Sequence, residues 1–221
     1  MPYKIKIKNI KKITHDVKEF TTDKPANYAF RPGQATEVAI NKPDWKGEKR
    51  PFTFTSLPSN DDLEFTIKSY RDHNGVTDEI DTLEIGDELI IDDAWGAIQY
   101  KGPGVFIAGG AGVTPFISIF KDLEKKNELL ENKLLFSNKT EHDVIHESYF
   151  REILGENFVS TLTEKESEGH ENQHIDKQFL KNHIDDFSQQ FYVCGPMEMV
   201  REISKQLETL GAKTDSITFE K

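Results

Sequence analysis

Val105-Phe106-Ile107-Ala108-Gly109-Gly110-Ala111-Gly112-Val113-Thr114-Pro115 is the stretch on which the reading of this chain turns. Four apolar residues in a row fit a strand buried on both faces. The glycines that follow permit a tight turn, and Pro115 suits the first turn of a helix, where a missing N–H costs little. Strand, glycine turn and helix start together offer free backbone N–H groups and the positive end of a helix dipole to an anion. Alone, Gly110-x-Gly112-x-x-Pro115 is a common turn. Its placement between strand and helix makes Gly110, Gly112, Thr114 and Pro115 a candidate pyrophosphate seat.

Downstream, strand and helix patterns alternate. Leu134-Leu135-Phe136 precedes a helix around Glu147–Leu154, and Phe158-Val159 precedes one around Phe179–Ile184. Phe191-Tyr192-Val193 precedes one around Glu198–Leu210, where Val200, Ile203, Leu207 and Leu210 keep helical spacing. Ser216–Phe219 reads as a last strand. Such alternation predicts a parallel sheet with helices on its faces. Glu164–Asn172 is polar and reads as a loop.

Upstream the period changes to two. Ile5 and Ile7 alternate with lysines, Leu63, Phe65 and Ile67 alternate again, and Val38-Ala39-Ile40 and Leu89-Ile90-Ile91 complete the series. Many short strands with turns between them predict a small antiparallel barrel. Lys101-Gly102-Pro103-Gly104 is the expected hinge, giving domains 1–101 and 102–221. A helix is expected over Asp78–Leu83.

Composition narrows the classes. The net charge of −11 argues against a general nucleic-acid role. The one cysteine, Cys194, excludes an internal disulfide and cannot alone hold an iron–sulfur cluster. No apolar run of about 18 residues predicts a membrane span. Met1-Pro2-Tyr3-Lys4 lacks the apolar core of a signal peptide, so a cytoplasmic protein is expected. His170-Glu171-Asn172-Gln173-His174 matches H-E-x-x-H, but its surroundings lack the apolar stripe of a helix, so no metal site is expected there.

Arg50-Pro51-Phe52-Thr53 carries a forked cation for a phosphate, an aromatic ring to stack on, and a hydroxyl to meet a flavin near N5. Gly75-Val76-Thr77 stands before the short helix and offers a second anion-binding turn. Each has an ordinary alternative: a surface arginine, a core phenylalanine, a strand hydroxyl, a helix cap. Their order, followed by the glycine turn and by Cys194-Gly195-Pro196, resembles the ferredoxin–NADP reductase-like superfamily over nearly the whole chain. Arg31-Pro32-Gly33-Gln34 adds to the likeness. Phe52 replaces the usual tyrosine, which keeps the stacking face and loses the phenol hydroxyl.

The resemblance implies a six-stranded Greek-key barrel carrying FAD, with FMN as the other flavin, and a C-terminal NAD(P)H domain. The flavin site would take in Arg50, Pro51, Phe52, Thr53, Ile67, Lys68, Tyr70, Gly75, Val76 and Thr77. The nicotinamide site would take in Gly110, Gly112, Thr114, Pro115, Ser137, Asn138, Lys139, Cys194, Gly195, Pro196 and Met197. Thr53, Cys194 and Glu220 would be the catalytic residues. Lys139 would favour NADPH and Glu141 would oppose it, so the choice of nicotinamide stays open. The terminal aromatic of many relatives is absent, with Phe219 either its substitute or a core residue.

The function implied is an NAD(P)H oxidoreductase that passes electrons through the flavin to a ferredoxin or flavodoxin, or to an oxygenase component. A reductase of free flavin is the alternative, and a flavin-binding relay subunit without nicotinamide turnover is a third. Lys4, Lys6, Lys8, Lys11 and Lys12 are either a solvated strand face or a dock for an acidic carrier protein. The strand carrying Thr53 and the glycine turn are expected to face one cleft.

Overall fold

A computed structural model describes residues 2–70, 75–96, 98–129 and 131–219. The chain forms two compact units. One comprises Met1–Gln99 with Thr114–Asp122, and the other Tyr100–Val113 with Leu123–Lys221.

In the first unit, strands β1 (Tyr3–Lys12), β2 (Val17–Asp23), β3 (Ala35–Ile40), β4 (Arg50–Thr53) and β5 (Asp62–Lys68) precede a short helix, α1 (Val76–Asp81), and strand β6 (Glu88–Ile91). They make an antiparallel sheet in the order β4-β3-β6-β1-β2-β5. The two ends meet where Phe54 bridges Phe65 and Thr55 N–H donates to Glu64 O at 2.8 Å, so the sheet nearly closes into a barrel. Closure leaves few unpaired strand edges. The period-two residues turn inward as the sequence requires: Ile5, Ile7, Val38, Phe65, Ile67, Leu89 and Ile91 fill the barrel core with Phe20 and Phe54. The helix α1 begins two residues earlier than the sequence reading had it. Val76 and Ile80 are buried on its inner side, and that packing, rather than helix propensity, sets its limits.

The second unit is a parallel sheet with helices between its strands. From β7 onward the chain runs β7 (Gly104–Gly109), α2 (Thr114–Lys126), β8 (Lys133–Asn138), α3 (Glu147–Leu154), β9 (Phe158–Leu162), α4 (Lys177–His183), β10 (Gln190–Cys194), α5 (Met197–Leu210) and β11 (Ile217–Phe219). The strand order is β11-β10-β7-β8-β9, with every pair parallel. All six residues of β7, the central strand, are buried. The helix α2 belongs to both units, which divide it after Asp122. The expected fold class is thus the observed one: a six-stranded antiparallel barrel sheet and a five-stranded parallel sheet with helices.

The chain runs outward from β7 to β8 and β9, then returns to the other side of β7 for β10 and β11. That reversal splits the carboxyl ends of β7 and β10, the place where open parallel sheets bind ligands. Two glycine-containing turns stand there, Gly109–Gly112 after β7 and Cys194–Pro196 after β10.

Candidate functional site

The two turns of the second unit are built against each other. A side chain at Gly112 would place its Cβ 2.4 Å from Cys194 O and 2.5 Å from Gly195 Cα, so only glycine permits this approach. Gly110 differs: its φ is +52° and nothing stands within 4 Å of a Cβ there, so this turn is open on one side. Gly110–Val113 forms a 3-10 turn that leads straight into α2, with Thr114 and Pro115 in the helix's first turn. Such a turn leaves N–H groups without intrahelical partners and adds the positive end of the helix dipole. This is what the pyrophosphate of a dinucleotide requires.

Cys194 is buried at the end of β10, 8% exposed. Met197 follows at the start of α5 and is 73% exposed. A large apolar side chain left in solvent beside a glycine turn is more informative than a buried one. Asn138 ends β8 at 5% exposure, and neither its amide nitrogen nor its amide oxygen has a partner among the described residues. A buried, unsatisfied amide is uncommon and wants a polar ligand. Ser137 is half-buried and Lys139 exposed. Lys139 Nζ pairs with Glu164 Oε1 at 2.9 Å, and that bond raises the ammonium above its ordinary pKa. Glu141 does not oppose it directly; its carboxylate accepts from the Ser167 hydroxyl, which lowers its pKa. Nothing in the sequence spacing marks Glu164 as the partner. It arrives there because Thr163 N–H donates to Asn138 O and Glu164 N–H to Lys139 O, both at 3.0 Å, extending the β8–β9 pairing beyond the strands.

In the first unit, Arg50 and Pro51 are exposed, Phe52 half-buried and Thr53 buried. The guanidinium of Arg50 donates to Lys49 O at 2.7 Å and lies 3.8 Å from Glu48, leaving most of its five donors open. The hydroxyl of Thr53 has no hydrogen-bond partner among the described residues. Thr55, next on the same face, is committed instead: it bonds Glu64 Oε1 and accepts from Thr66 Oγ1, each at 3.2 Å. The sequence did not reveal the anchor of that cluster, Lys121, which bonds Thr55 O at 2.9 Å and Glu64 at 2.7 Å. The ion pair joins residues 57 apart, beyond the reach of any local pattern.

Ile67 fills the barrel core at 2% exposure. Lys68 is paired with Asp16 at 2.9 Å. Tyr70 is 44% exposed. Gly75 caps α1, Val76 is buried and Thr77 is half-buried in the first turn. Asn74 and Glu220 lie outside the described residues, and Phe219 packs against the core of the second unit.

Two motifs of the sequence lie wholly within the described residues. The lysines of β1 are exposed, but Lys8 meets Asp62 at 2.5 Å, Lys6 stands in register with Glu88, and Lys11 stands in register with Glu19. Lys4 stands opposite Ile90 and Lys12 opposite Lys18, so acids offset only part of the positive charge on that face. The H-E-x-x-H segment is not helical: Glu171 bridges Thr161, and His170 Nδ1 meets Ser160 Oγ at 2.9 Å while its Nε2 faces Glu147. His170 and His174 therefore share no helix face. Among the described residues, no helix is long and apolar enough to cross a membrane.

The residues fit both cofactors: an open glycine turn, a buried unpaired amide, an unpaired hydroxyl on the barrel and an arginine with open donors. The family model described as "FAD-binding domain" matches residues 2–88, and that described as "Oxidoreductase NAD-binding domain" matches residues 106–205. Between them they span most of the chain, flavin module first, and the chain belongs to the ferredoxin–NADP reductase-like superfamily. It is 26% identical over 212 residues to the reductase component of propane 2-monooxygenase from Rhodococcus jostii (strain RHA1), covering 89% of this chain and 56% of that protein. It is 28% identical over 215 residues to a flavohemoprotein of Bacillus subtilis (strain 168), covering 86% of this chain and 51% of that protein. The chain thus spans little more than half the length of these two relatives. Its fold matches a ferredoxin NADP+ reductase from Neisseria gonorrhoeae with bound FAD and NADP, at a TM-score of 0.87 and 21% identity, over 99% of this chain and 98% of that one.

Proposed function

We propose that this chain is an FAD-dependent NAD(P)H oxidoreductase that delivers electrons to a ferredoxin, a flavodoxin or an oxygenase component. The observation that supports the reading is an unpaired Thr53 hydroxyl on the strand that also carries Arg50 in one module, together with the open Gly110 turn locked by Gly112 in the other. When bound, the flavin supplies the conversion from a two-electron donor to one-electron acceptors.

The chain's own residues bind and orient. Arg50 and the Gly75-Val76-Thr77 turn answer the flavin's phosphates, Phe52 and Tyr70 its ring, and Thr53 its N5 edge, with Pro51, Ile67 and Lys68 completing the wall. Gly110, Gly112, Thr114 and Pro115 seat the pyrophosphate of the nicotinamide, Ser137, Asn138 and Lys139 its adenosine end, and Cys194, Gly195, Pro196 and Met197 its ring. Cys194 acts there as a polarizable wall rather than as a nucleophile. Glu220 is assigned the handling of a proton. Residues 1–101 form the flavin domain and 102–221 the nicotinamide domain, in a cytoplasmic protein.

An oxygenase acceptor is the second reading, supported by the kinship with the propane 2-monooxygenase reductase component. The test is reconstitution with FAD or FMN, gel filtration, and NAD(P)H oxidation with ferricyanide and then with a panel of carrier proteins. Retained FAD and turnover with ferricyanide are expected. Flavin lost on the column with turnover only in excess free flavin would make the chain a free-flavin reductase.

A further inference from the structure

We infer that this chain selects NADH over NADPH, and that Glu164 sets the selection by holding Lys139. The inference rests on the nicotinamide reading above and asks which dinucleotide the site takes. In a βαβ dinucleotide site the end of the second strand meets the adenosine ribose, where an acid suits a 2′-hydroxyl and a cation suits a 2′-phosphate. Here that unit is β7-α2-β8, and its second strand ends at Asn138.

The cation at that place is already engaged. Lys139 meets Glu164 at 2.9 Å, and the backbone bonds from Thr163 to Asn138 and from Glu164 to Lys139 hold the two residues side by side. The pair is exposed, at 70% and 56%, so it is weak in itself. What excludes a phosphate is the charge of the whole rim. Segments 137–143 and 163–168 contain Lys139 and Lys165 against Glu141, Asp143, Glu164, Glu166 and Glu168. Asp143 is fixed in place by bonds from the Thr140 N–H and hydroxyl at 2.9 and 2.7 Å. The nearby Arg151 is committed to Glu147 and to Gly169 O. A 2′-phosphate adds about two negative charges. It would have to strip Glu164 from Lys139 and enter this acidic rim. A 2′-hydroxyl brings no charge, and the buried Asn138 amide has both a donor and an acceptor to spend on such a ribose.

The test is calorimetry on the FAD-loaded full chain with two probes, ADP-ribose and 2′-phospho-ADP-ribose, at low and high salt. ADP-ribose is expected to bind at least about tenfold more tightly at low salt, a gap of about 1.4 kcal/mol. Salt should narrow the gap, since exposed charges are screened. Glu164→Gln should narrow it about threefold or more by strengthening the 2′-phosphorylated probe, and Glu164→Lys should narrow it further. Equal or tighter binding of 2′-phospho-ADP-ribose to the unaltered chain overturns the inference. A gap that Glu164→Gln and Glu164→Lys leave in place removes Glu164 from it. Binding of neither probe overturns the nicotinamide reading itself, and this inference with it.

Discussion

Replacing Gly112 with alanine tests the nicotinamide turn at its tightest point. The new Cβ would stand 2.4 Å from Cys194 O, 2.5 Å from Cys194 C and 2.5 Å from Gly195 Cα, about 1 Å inside ordinary contact. All three atoms are backbone, so no side chain can swing aside. The Cys194–Pro196 turn cannot simply retreat either. Cys194 is held in register with Ala108, and Gly195 lies against the backbone of Gly109. Forcing an extra methyl into such a contact costs about 1–3 kcal/mol, which at about 2–4 °C per kcal/mol is a visible drop in Tm for a chain of this length. It is less than the stability of a typical domain, so the variant should fold. Moving the two turns apart should also weaken ADP-ribose binding about tenfold or more, while FAD content stays that of the unaltered protein. Gly110→Ala is the internal control: it meets no atom within 4 Å and bears only the cost of φ +52°, about 1 kcal/mol. Thermal denaturation, calorimetry with ADP-ribose and the flavin-to-protein absorbance ratio read all three quantities. A Gly112→Ala protein with unchanged Tm and unchanged ADP-ribose affinity would refute the argument.

Further outcomes are expected in the first unit. Thr53→Val removes one hydroxyl from a site that keeps its shape; reduction by NAD(P)H in a stopped-flow instrument should slow about fivefold to tenfold while FAD stays bound. Unchanged kinetics would take Thr53 out of the mechanism. Lys121→Met leaves Glu64 and Thr55 O without their cation, and urea titration should show a loss of about 1–3 kcal/mol. Burial pushes the Tyr28 phenol up to about 12, against the pull of its hydrogen bonding. Its neutral form is therefore favoured by folding, so its stabilisation is complete below pH 10 and lost as pH rises towards 12. Tyr28→Phe should flatten the fall of Tm over that window while costing about 1 kcal/mol at neutral pH through the lost bond to Asp92 O.

The sequence carried the parts of the fold whose signals are local. The unbroken apolar run of Val105–Ala108 announced the central strand, and the alternation around Ile5, Phe65 and Leu89 announced the barrel, because both periods follow from where Cβ atoms point. The α3 helix falls on the residues its spacing marked. Helix limits set by packing were less legible: α1 starts at Val76 because Val76 is buried, which no cap residue signals. The glycine turn and the Arg50–Thr53 segment could be picked out as candidates. What could not be read were the pairings between distant segments. Glu164 reaches Lys139 through backbone pairing 25 residues away, and Lys121 reaches Glu64 through the packing of α2. The acids that face Lys6, Lys8 and Lys11 come from β6, β5 and β2, which the local run of lysines did not disclose.

The most direct measurement is the visible spectrum of the FAD-reconstituted chain after desalting, followed under nitrogen as NADH or NADPH is added. A flavin band that stays with the protein and bleaches with about one equivalent of nicotinamide is the expected result. A chain that retains no flavin, or a retained band that neither nicotinamide bleaches, would contradict the account.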